Sequence, residues 1–347
     1  MNNSFGELFR VTTFGESHGP AIGAVVDGVP AGLELAEADI QKELDRRKPG
    51  QSVMTTPRRE SDTVEILSGV FEGRTTGTPV ALLIRNQDQR SRDYGPLAEV
   101  FRPGHADYTY FAKYGIRDYR GGGRSSGRET AARVAAGAIA RKFLREKFGV
   151  EITAWTAAAA GIAGKRFCPE FIEKNPLRAA DPDMAEAMES AVRQAMEAQD
   201  SAGGIVACRA EHVPAGWGEP VFDKLDALLA HAMLSLGAVK GIEFGDGFAA
   251  AAARGSENND AMTPAGFATN HAGGMLGGIS NGMPIEFRIA VKPTPSIRRE
   301  QETVDKENRP RTLEIAGRHD PCICPRIVPV VEAMTALVLA DLALRAR

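Results

Sequence analysis

The stretch from Arg120 to Gly137 constrains this chain most, because it joins a glycine turn to the start of a helix. The glycines at 121–123 lack a Cβ, so the backbone there can take positive φ values and approach a ligand closely. Ser126 and Glu129 match a capping box, which predicts a helix that begins near Gly127 with its free N–H groups facing the turn. The stretch therefore predicts a site for a phosphate or another oxygen-rich anion.

Arginine is dense in the same stretch, with side chains at Arg120, Arg124 and Arg128. Guanidinium groups suit planar oxyanions because they donate two parallel hydrogen bonds. The competing interpretation is a solvated arginine loop that caps an ordinary helix. Two familiar phosphate sites are excluded, because the stretch has no G-x-x-x-x-G-K-[ST] run and lacks the third glycine of G-x-G-x-x-G.

Length and charge narrow the class of protein. The 347 residues, 43% hydrophobic and 25% charged, are typical of a globular chain with one large domain or two. A net charge of -3 argues against general nucleic-acid binding, which depends on a basic face. We therefore expect a local anion site and no nucleic-acid partner.

Cysteine spacing and hydropathy predict a cytoplasmic protein. The four cysteines lack paired C-x-x-C spacing, which favours free thiols in a reducing compartment over a disulfide framework or a zinc site. The N-terminus has no apolar signal region, and Glu332 and Asp341 interrupt the most apolar run near the C-terminus. We expect neither a signal sequence nor a membrane span.

Hydrophobic periodicity predicts a mixture of strands and helices. The predicted strands cover residues 8–14, 22–26, 64–70, 80–84, 151–162, 205–213 and 284–292, and the predicted helices cover 36–48, 127–148, 182–202, 221–236 and the residues from 326, with Pro329 in the first turn. The order of strand, turn, helix and strand partly repeats, which indicates a pseudo-duplicated layout without a detectable sequence repeat. The charged run 298–311 is predicted to be a mobile loop.

Histidines in loops are the candidates for proton transfer. His18, His105 and His319 lie between glycine, proline or aspartate, and no pair of histidines has the spacing of metal ligands. His212 and His231 lie within a predicted strand and a predicted helix, so we expect structural roles for them. No G-x-S-x-G elbow supports a serine nucleophile. The residues alone indicate an enzyme that binds a small anionic substrate through arginines and moves protons with histidines or an aspartate.

Five blocks of sequence resemble one enzyme family. They are GESHGPAIGAVVDGVP at 15–30, RPGHADYTY at 102–110, RGGGRSSGRETAARVAAGAI at 120–139, NHAGGMLGGISNG at 270–282 and GRHDPC at 317–322. In content and order they are similar to blocks of the chorismate synthase family. They run from the first twenty residues to the last thirty, so the resemblance extends over essentially the whole chain. The resemblance implies a single domain over residues 1–347. It also implies an α+β fold in which helices pack between antiparallel sheets as a β-α-β sandwich, and a homotetramer.

The resemblance also implies an activity. The family converts 5-enolpyruvylshikimate 3-phosphate to chorismate, in the shikimate pathway of aromatic amino acid biosynthesis, by 1,4-anti elimination of the 3-phosphate and a C6 hydrogen. Reduced FMN is required, although the reaction has no net redox change. Because no reductase domain is appended, we expect an external flavin reductant, with NADPH-driven reduction by the chain itself as the alternative. The rival interpretations are an arginine-rich RNA-binding module and a flavin oxidoreductase that transfers hydride.

The resemblance implies catalytic roles for three residues. His18 would protonate the leaving phosphate, and His105 would protonate or polarise the reduced flavin. Asp320 would help flavin N5 to take the C6 proton, and a helix cap is the competing role for this carboxylate. The implied substrate-binding set consists of four arginines: Arg46, Arg47, Arg128 and Arg326. The first two also end a predicted helix, where cations stabilise the helix dipole in any case.

The implied flavin-binding set is larger. It comprises Arg124, Ser125, Ser126, Gly237, Ala238, Gly277, Lys292, Pro293, Thr294, Pro295, Ser296 and Arg318. Two positions depart from the residues usual in the family, since Gly127 stands where alanine is usual and Gly237 stands where a side chain is common beside the flavin. We expect these departures to change the stiffness of the loops and not the activity.

Overall fold

Seven α-helices form in the part of the chain that the structure describes. The structure is a computed structural model and describes residues 3–52, 54–55, 60–87, 95, 97–315 and 319–346. The helices are α1 (Glu37–Arg47), α2 (Asp107–Tyr114), α3 (Thr130–Phe148), α4 (Ala185–Glu197), α5 (Leu225–Leu234), α6 (Gly255–Asn258) and α7 (Cys324–Arg345).

The first half of the chain builds one five-stranded antiparallel sheet. Its strands and those of a small hairpin are β1 (Ser4–Phe5), β2 (Arg10–Gly15), β3 (Ala21–Asp27), β4 (Val64–Ile66), β5 (Val70–Phe71), β6 (Arg74–Thr75) and β7 (Val80–Arg85). The sheet has the order β1-β2-β3-β7-β4, and β5 pairs with β6. Each strand pair in the sheet is antiparallel, with Ile22 opposite Ile84 in the central pair.

A second five-stranded antiparallel sheet comes from the second half of the chain. The remaining strands are β8 (Glu151–Ala159), β9 (Ile162–Ala163), β10 (Gly204–Glu211), β11 (Val239–Phe244), β12 (Met262–Thr263), β13 (Gly266–Phe267), β14 (Met275–Leu276), β15 (Ile279–Ser280), β16 (Ile285–Val291), β17 (Gln301–Val304) and β18 (Pro310–Leu313). The second sheet has the order β11-β16-β10-β8-β9, and the other strands form the hairpins β12-β13, β14-β15 and β17-β18. The chain therefore has an α+β fold with antiparallel sheets.

Helices α3 and α7 occupy the core. Helix α3 packs against β3 of the first sheet, α7 packs against β8 of the second, and the two helices pack against each other. They meet at Gly137, where an added Cβ would overlap the side chain and backbone of Ala333. Because α3 is rich in alanine and glycine, the helix axes can approach closely, and one connected core extends from Phe9 to Ala343.

Helix α7 is long and apolar enough to cross a membrane by length and composition, but 89% of its most apolar window is buried within the protein. Such burial is typical of a helix in the core of a protein. The two carboxylates that interrupt its sequence are also buried. Glu332 accepts hydrogen bonds from Arg141 at 3.0 Å and from the Ala154 N–H at 3.0 Å, and it pairs with Arg46. Asp341 accepts the backbone N–H groups of residues 7–9.

The predicted elements correspond closely to α1, α3, α4, α5 and the long strands, but three expectations were wrong. The charged run 298–311 contains most of the β17-β18 hairpin, because the buried Asp305 carboxylate accepts the N–H groups of Glu307 and Arg309 and organises the turn. The last helix begins at Cys324, so Pro329 lies inside it and not in its first turn. The short helix α2 was not predicted at all.

Candidate active site

A cavity of about 830 Å³ lies beside the N-terminal ends of α3 and α7. Its walls come from both halves of the chain, including β1, β2, the end of α1, the glycine turn and the residues after α5. Fifteen of the residues that the resemblance implied line this one cavity: His18, Arg47, His105, Arg124, Ser125, Ser126, Arg128, Gly237, Ala238, Lys292, Thr294, Pro295, Ser296, Asp320 and Arg326. The fold thus brings together residues as far apart in the sequence as His18 and Arg326.

Three residues of the implied sets lie outside the cavity lining, and a fourth is not described by the structure. Gly277 lies in the turn between β14 and β15 with φ +61°, and neither it nor Pro293 lines the cavity. Arg46 is also outside the lining, and its guanidinium pairs instead with Glu43, with Glu173 at 2.7 Å and with Glu332. Arg318 lies outside the described residues.

The glycine turn has the predicted backbone conformation, with positive φ at all three glycines. Two histidines pack against this turn and leave no room for a Cβ at two of its glycines. A Cβ on Gly121 would overlap the ring of His18, and a Cβ on Gly122 would lie 3.0 Å from Cε1 of His105. Any side chain at these two positions would therefore displace an imidazole, as well as straining the backbone.

The predicted capping box forms only in part. Ser126 accepts a hydrogen bond from the Arg128 N–H at 3.3 Å and starts a single 3₁₀ turn, Gly127–Glu129, before α3 begins at Thr130. Glu129 does not return to the backbone of Ser126, because its carboxylate accepts from Thr13 Oγ1 at 3.0 Å and from Arg133 Nε at 2.8 Å. The carboxylate therefore joins the helix start to β2 and does not close the box.

Two buried arginines of the cavity share one carboxylate. Arg47, which is 1% exposed, and Arg128 each pair with a different oxygen of Asp62. Burial alone would raise the pKa of Asp62, but the two guanidinium groups lower it to about 2. Burial lowers the pKa of Arg47 to about 10, against the opposing effect of Asp62. The sequence analysis missed Asp62, since a lone aspartate after a turn-rich run carries no motif.

A second pair lies at the start of α7. Arg326 Nη1 donates to Asp320 Oδ2 at 2.7 Å, and the N-cap of the helix is Ile323 and not Asp320. Next to this pair, burial and the nearby charge of Arg102 together lower the pKa of His319 to about 4. His319 is therefore a neutral imidazole at pH 7.

The two other loop histidines face the glycine turn from different sides. His18 Nδ1 lies 3.0 Å from Ser17 Oγ. His105 Nδ1 lies 3.0 Å from Asp107, whose carboxylate also pairs with Arg102 at 2.7 Å and Arg117 at 3.2 Å. Burial lowers the pKa of His105, although Asp107 acts in the opposite direction. Asp107 thus orients His105, a role that its place in the block at 102–110 did not reveal.

Lys292 and residues 294–296, which belong to the implied flavin-binding set, form another wall of the cavity. Lys292 Nζ reaches only the carbonyl oxygens of Gly104 at 3.3 Å and Pro293 at 3.4 Å within the described chain. Burial lowers its pKa, and the charge of Lys240 on the same wall adds to the effect. Thr294 Oγ1 is buried without a hydrogen-bond partner among the described residues. The Lys292 ammonium can therefore bind an anion, and the Thr294 hydroxyl can form a hydrogen bond with a ligand.

Comparison with known proteins gives one consistent match. A sequence profile of the chorismate synthase family matches residues 9–344. The chain is 61% identical over 339 residues to a chorismate synthase of Syntrophobacter fumaroxidans, covering 98% of this chain and 96% of that protein. It is 57% identical over 345 residues to a chorismate synthase of Nitrosomonas europaea, covering 99% of this chain and 88% of that protein.

A solved crystal structure of a chorismate synthase has a similar fold. The TM-score is 0.78 at 34% sequence identity, and the match covers 98% of this chain and 93% of that chain. The profile and the relatives extend over nearly the full length, and this chain carries the cavity and its arginines within the matched region. The chain therefore belongs to the chorismate synthase family and is an enzyme of the lyase class.

Proposed function

We propose that this chain converts 5-enolpyruvylshikimate 3-phosphate to chorismate by 1,4-anti elimination, in the shikimate pathway of aromatic amino acid biosynthesis. The observation that carries the proposal is the convergence of Arg47, Arg128 and Arg326 with His18 and Asp320 on one cavity. The leaving phosphate and the carboxylates of this substrate are anions, and preorganised cations stabilise the charge that develops as the phosphate departs.

The arginines have donors available for such a substrate. Within the described chain, Arg47 Nε, Arg128 Nη2 and Arg326 Nε are buried and have no hydrogen-bond partner. A buried N–H group without a partner is costly, so an oxygen of a bound anion would restore the lost hydrogen bonds. The Asp62 carboxylate balances part of the positive charge and holds the guanidinium groups of Arg47 and Arg128 in place. We assign these three arginines to the substrate, and Arg46 to the ion-pair network behind it.

Two proton movements complete the elimination. The C3–O bond breaks with its electron pair going to the phosphate, and His18 protonates the departing oxygen. The carboxylate of Asp320 helps to take the proton that leaves C6. The electrons of the C6–H bond form a new C6–C1 double bond, and the ring double bond moves from C1–C2 to C2–C3 as the phosphate departs. Atoms and electrons therefore balance without an oxidant. Acid–base groups placed in this way typically contribute about 100- to 10,000-fold to a rate.

The residues present fit reduced FMN as the cofactor. The cavity volume of about 830 Å³ suits a cofactor together with a small substrate. Phe5, Val11 and Leu337 offer apolar surface to a planar ring, while Lys292 and Lys240 offer charge to a phosphate tail. Reduced FMN, when bound, would supply an electron-rich ring that eases C–O cleavage and is not consumed. His105, oriented by Asp107, would hold or donate a proton on the cofactor side of the cavity.

We infer the following organisation from the same observations. A single domain over residues 1–347 is supported by the one connected core, and a β-α-β sandwich is supported by the contacts of α3 and α7 with the two sheets. Exposed Phe222, Phe248 and Met262 are suited to subunit contacts in a homotetramer. We expect a cytoplasmic enzyme that receives reduced flavin from an external reductant, with NADPH-driven reduction by the chain itself as the alternative.

Anaerobic turnover with a trace of FMN tests the proposal. The enzyme, 5-enolpyruvylshikimate 3-phosphate and excess dithionite are mixed with FMN at a small fraction of the substrate concentration, and chorismate is measured by its absorbance. We expect many turnovers for each reduced flavin. One flavin oxidised for each product formed would support hydride transfer instead. Salt-sensitive RNA binding without any effect of flavin would support the nucleic-acid alternative.

A further inference from the structure

One buried guanidinium outside the cavity contacts the backbone beside two arginines of the site. Arg178 is 7% exposed. Its Nη2 donates to the carbonyl oxygen of Arg46 at 2.8 Å, and its Nη1 donates to the carbonyl oxygen of Pro325. The Arg46 carbonyl is part of the planar peptide group that joins Arg46 to Arg47. The Pro325 carbonyl is part of the planar peptide group that joins Pro325 to Arg326. One side chain therefore holds the backbone of two proposed substrate-binding residues.

The backbone of Arg178 is itself attached to the second sheet. Its carbonyl oxygen accepts a hydrogen bond from the Thr156 N–H in β8 at 2.9 Å, and its own N–H donates to Asn175 at 3.2 Å. Thr156 Oγ1 also donates to the carbonyl of the preceding residue, Leu177, at 2.6 Å. The guanidinium thus extends from a fixed base on the sheet to the end of α1 and the start of α7.

All three nitrogens of the Arg178 guanidinium are used for internal contacts. Nε donates to Glu173 at 3.1 Å, and Nη2 also donates to Gln51 Oε1 at 3.1 Å. The Gln51 side-chain amide Nε2 also donates a hydrogen bond to the Arg46 carbonyl oxygen, at 2.6 Å. Arg178 does not line the 830 Å³ cavity but a separate one of about 310 Å³, and its nitrogens already donate within the protein. The geometry is that of a support for the site and not of a ligand-binding residue.

We propose that Arg178 is a positioning residue that sets where Arg47 and Arg326 stand relative to the substrate anion. This inference rests on the proposed function, because the two arginines are assigned to the substrate there. The planar fork of arginine can hold two carbonyls in a fixed geometry, whereas the single ammonium of lysine cannot. A displacement of about 1 Å in a binding group can cost about 100-fold in rate. Cutting this link should therefore weaken substrate binding, although no residue that lines the cavity is replaced.

Two variants and one control test the assignment. Arg178→Lys keeps a buried cation but loses the fork, and Arg178→Met removes both. Arg166→Met is the control, because Arg166 is exposed and pairs only with exposed Asp183, at 2.6 Å, among the described residues. Calorimetric titration with 5-enolpyruvylshikimate 3-phosphate, fluorescence titration with oxidised FMN, and thermal unfolding are measured on each full-length protein.

We expect the dissociation constant for the substrate to rise roughly 10- to 100-fold in both Arg178 variants, with FMN affinity close to that of the wild type. The control should match the wild type in every measurement. The inference is overturned when folded Arg178→Lys binds substrate as tightly as the wild type. It is also overturned when substrate and FMN weaken in parallel with a lowered Tm, since Arg178 would then be only a helix cap.

Failure of the proposed function has a different signature. A wild-type protein that neither binds nor converts 5-enolpyruvylshikimate 3-phosphate refutes the proposed function before any variant is compared. The positioning inference is judged by the difference between the wild type and the variants. If Arg178→Met does not fold, Arg178→Lys decides the question, because the Glu173 carboxylate and the two carbonyl groups keep a cationic partner.

Discussion

Arg46 and Arg47 are neighbours in the sequence, yet their guanidinium groups have different partners. One residue of an α-helix turns the side chain by about 100°. Arg46 therefore pairs with Glu332 in the core network, whereas Arg47 pairs with Asp62 and reaches the cavity. Both end the same helix, so their sequence positions could not separate a substrate-binding arginine from a structural one.

The first prediction compares these two arginines. Arg47→Ala should weaken substrate binding by about 1.5–3 kcal/mol, because a charge-assisted hydrogen bond is lost, while FMN affinity changes little. Arg46→Ala is the matched control on the same helix turn. It should lower the free energy of unfolding, since Glu332 loses a partner, but leave the dissociation constant for the substrate close to that of the wild type. Equal losses of both ligands in Arg47→Ala would show that Arg47 is only structural.

The second prediction concerns Asp320. Asp320→Asn should lower turnover about 100-fold or more, because asparagine cannot accept the proton, while both ligand affinities and Tm stay near wild type. The helix-cap alternative loses its support, since Ile323 occupies the N-cap of α7. Single-turnover measurement with saturating substrate and reduced FMN isolates the step in which the C6 proton is removed. An unchanged decay rate of the flavin signal in this variant would remove Asp320 from the mechanism.

At the scale of elements, the contact between α3 and α7 decides how closely the core helices approach. Gly137 faces Ala333 with no room for a methyl group. In contrast, the space that a Cβ would occupy at Gly127 is empty, and its φ is not positive. Both glycines look alike in the sequence, because each stands near the start of an alanine-rich helix.

The third prediction follows from this difference. Gly137→Ala should lower the free energy of unfolding by about 1–3 kcal/mol, because an extra methyl group in a packed core forces the helices apart. Gly127→Ala, which restores the residue usual in the family, should be neutral or stabilise the protein by about 0.4–1 kcal/mol. Denaturant unfolding of both variants measures the contrast. A neutral effect of Gly137→Ala would show that α3 and α7 can move apart at no cost.

At the scale of the whole molecule, buried neutral histidines make stability depend on pH. The pKa of His319 falls from 6.5 to about 4 in the folded chain, and the pKa of His105 is also lowered. Between pH 6.5 and 4 the unfolded chain therefore binds more protons than the folded chain. The stability from these groups is fully present above pH 6.5 and is lost as the pH falls towards 4.

The fourth prediction concerns this dependence of stability on pH. The free energy of unfolding from denaturant titrations should decrease steadily from pH 7 to pH 4.5, and His319→Gln should make this decrease shallower. His212→Asn is the matched control for the loss of one imidazole, because His212 is exposed and asparagine tolerates the positive φ of +60° at that position. The same slope in wild type and His319→Gln would show that His319 is not the titrating group.

The sequence by itself determined the features that depend on residues close together in the chain. The end of α1 near residue 48, the end of α3 at residue 148 and the positive φ of the glycine turn were all predicted. These features follow from local sterics and capping, which need only a few neighbouring residues. The blocks that resemble the chorismate synthase family likewise determined the family, now confirmed by the full-length matches.

Only the tertiary structure decided which charges meet. The sharing of Asp62 by two arginines, the link from Arg178 to the peptide groups before Arg47 and Arg326, and the packing of histidines on the glycine turn join distant parts of the chain. These contacts depend on the rotation of each helix about its axis and on the packing of α3 against α7. Periodicity along the sequence specifies a buried face, but the partner across the core is set by the packing of the whole fold.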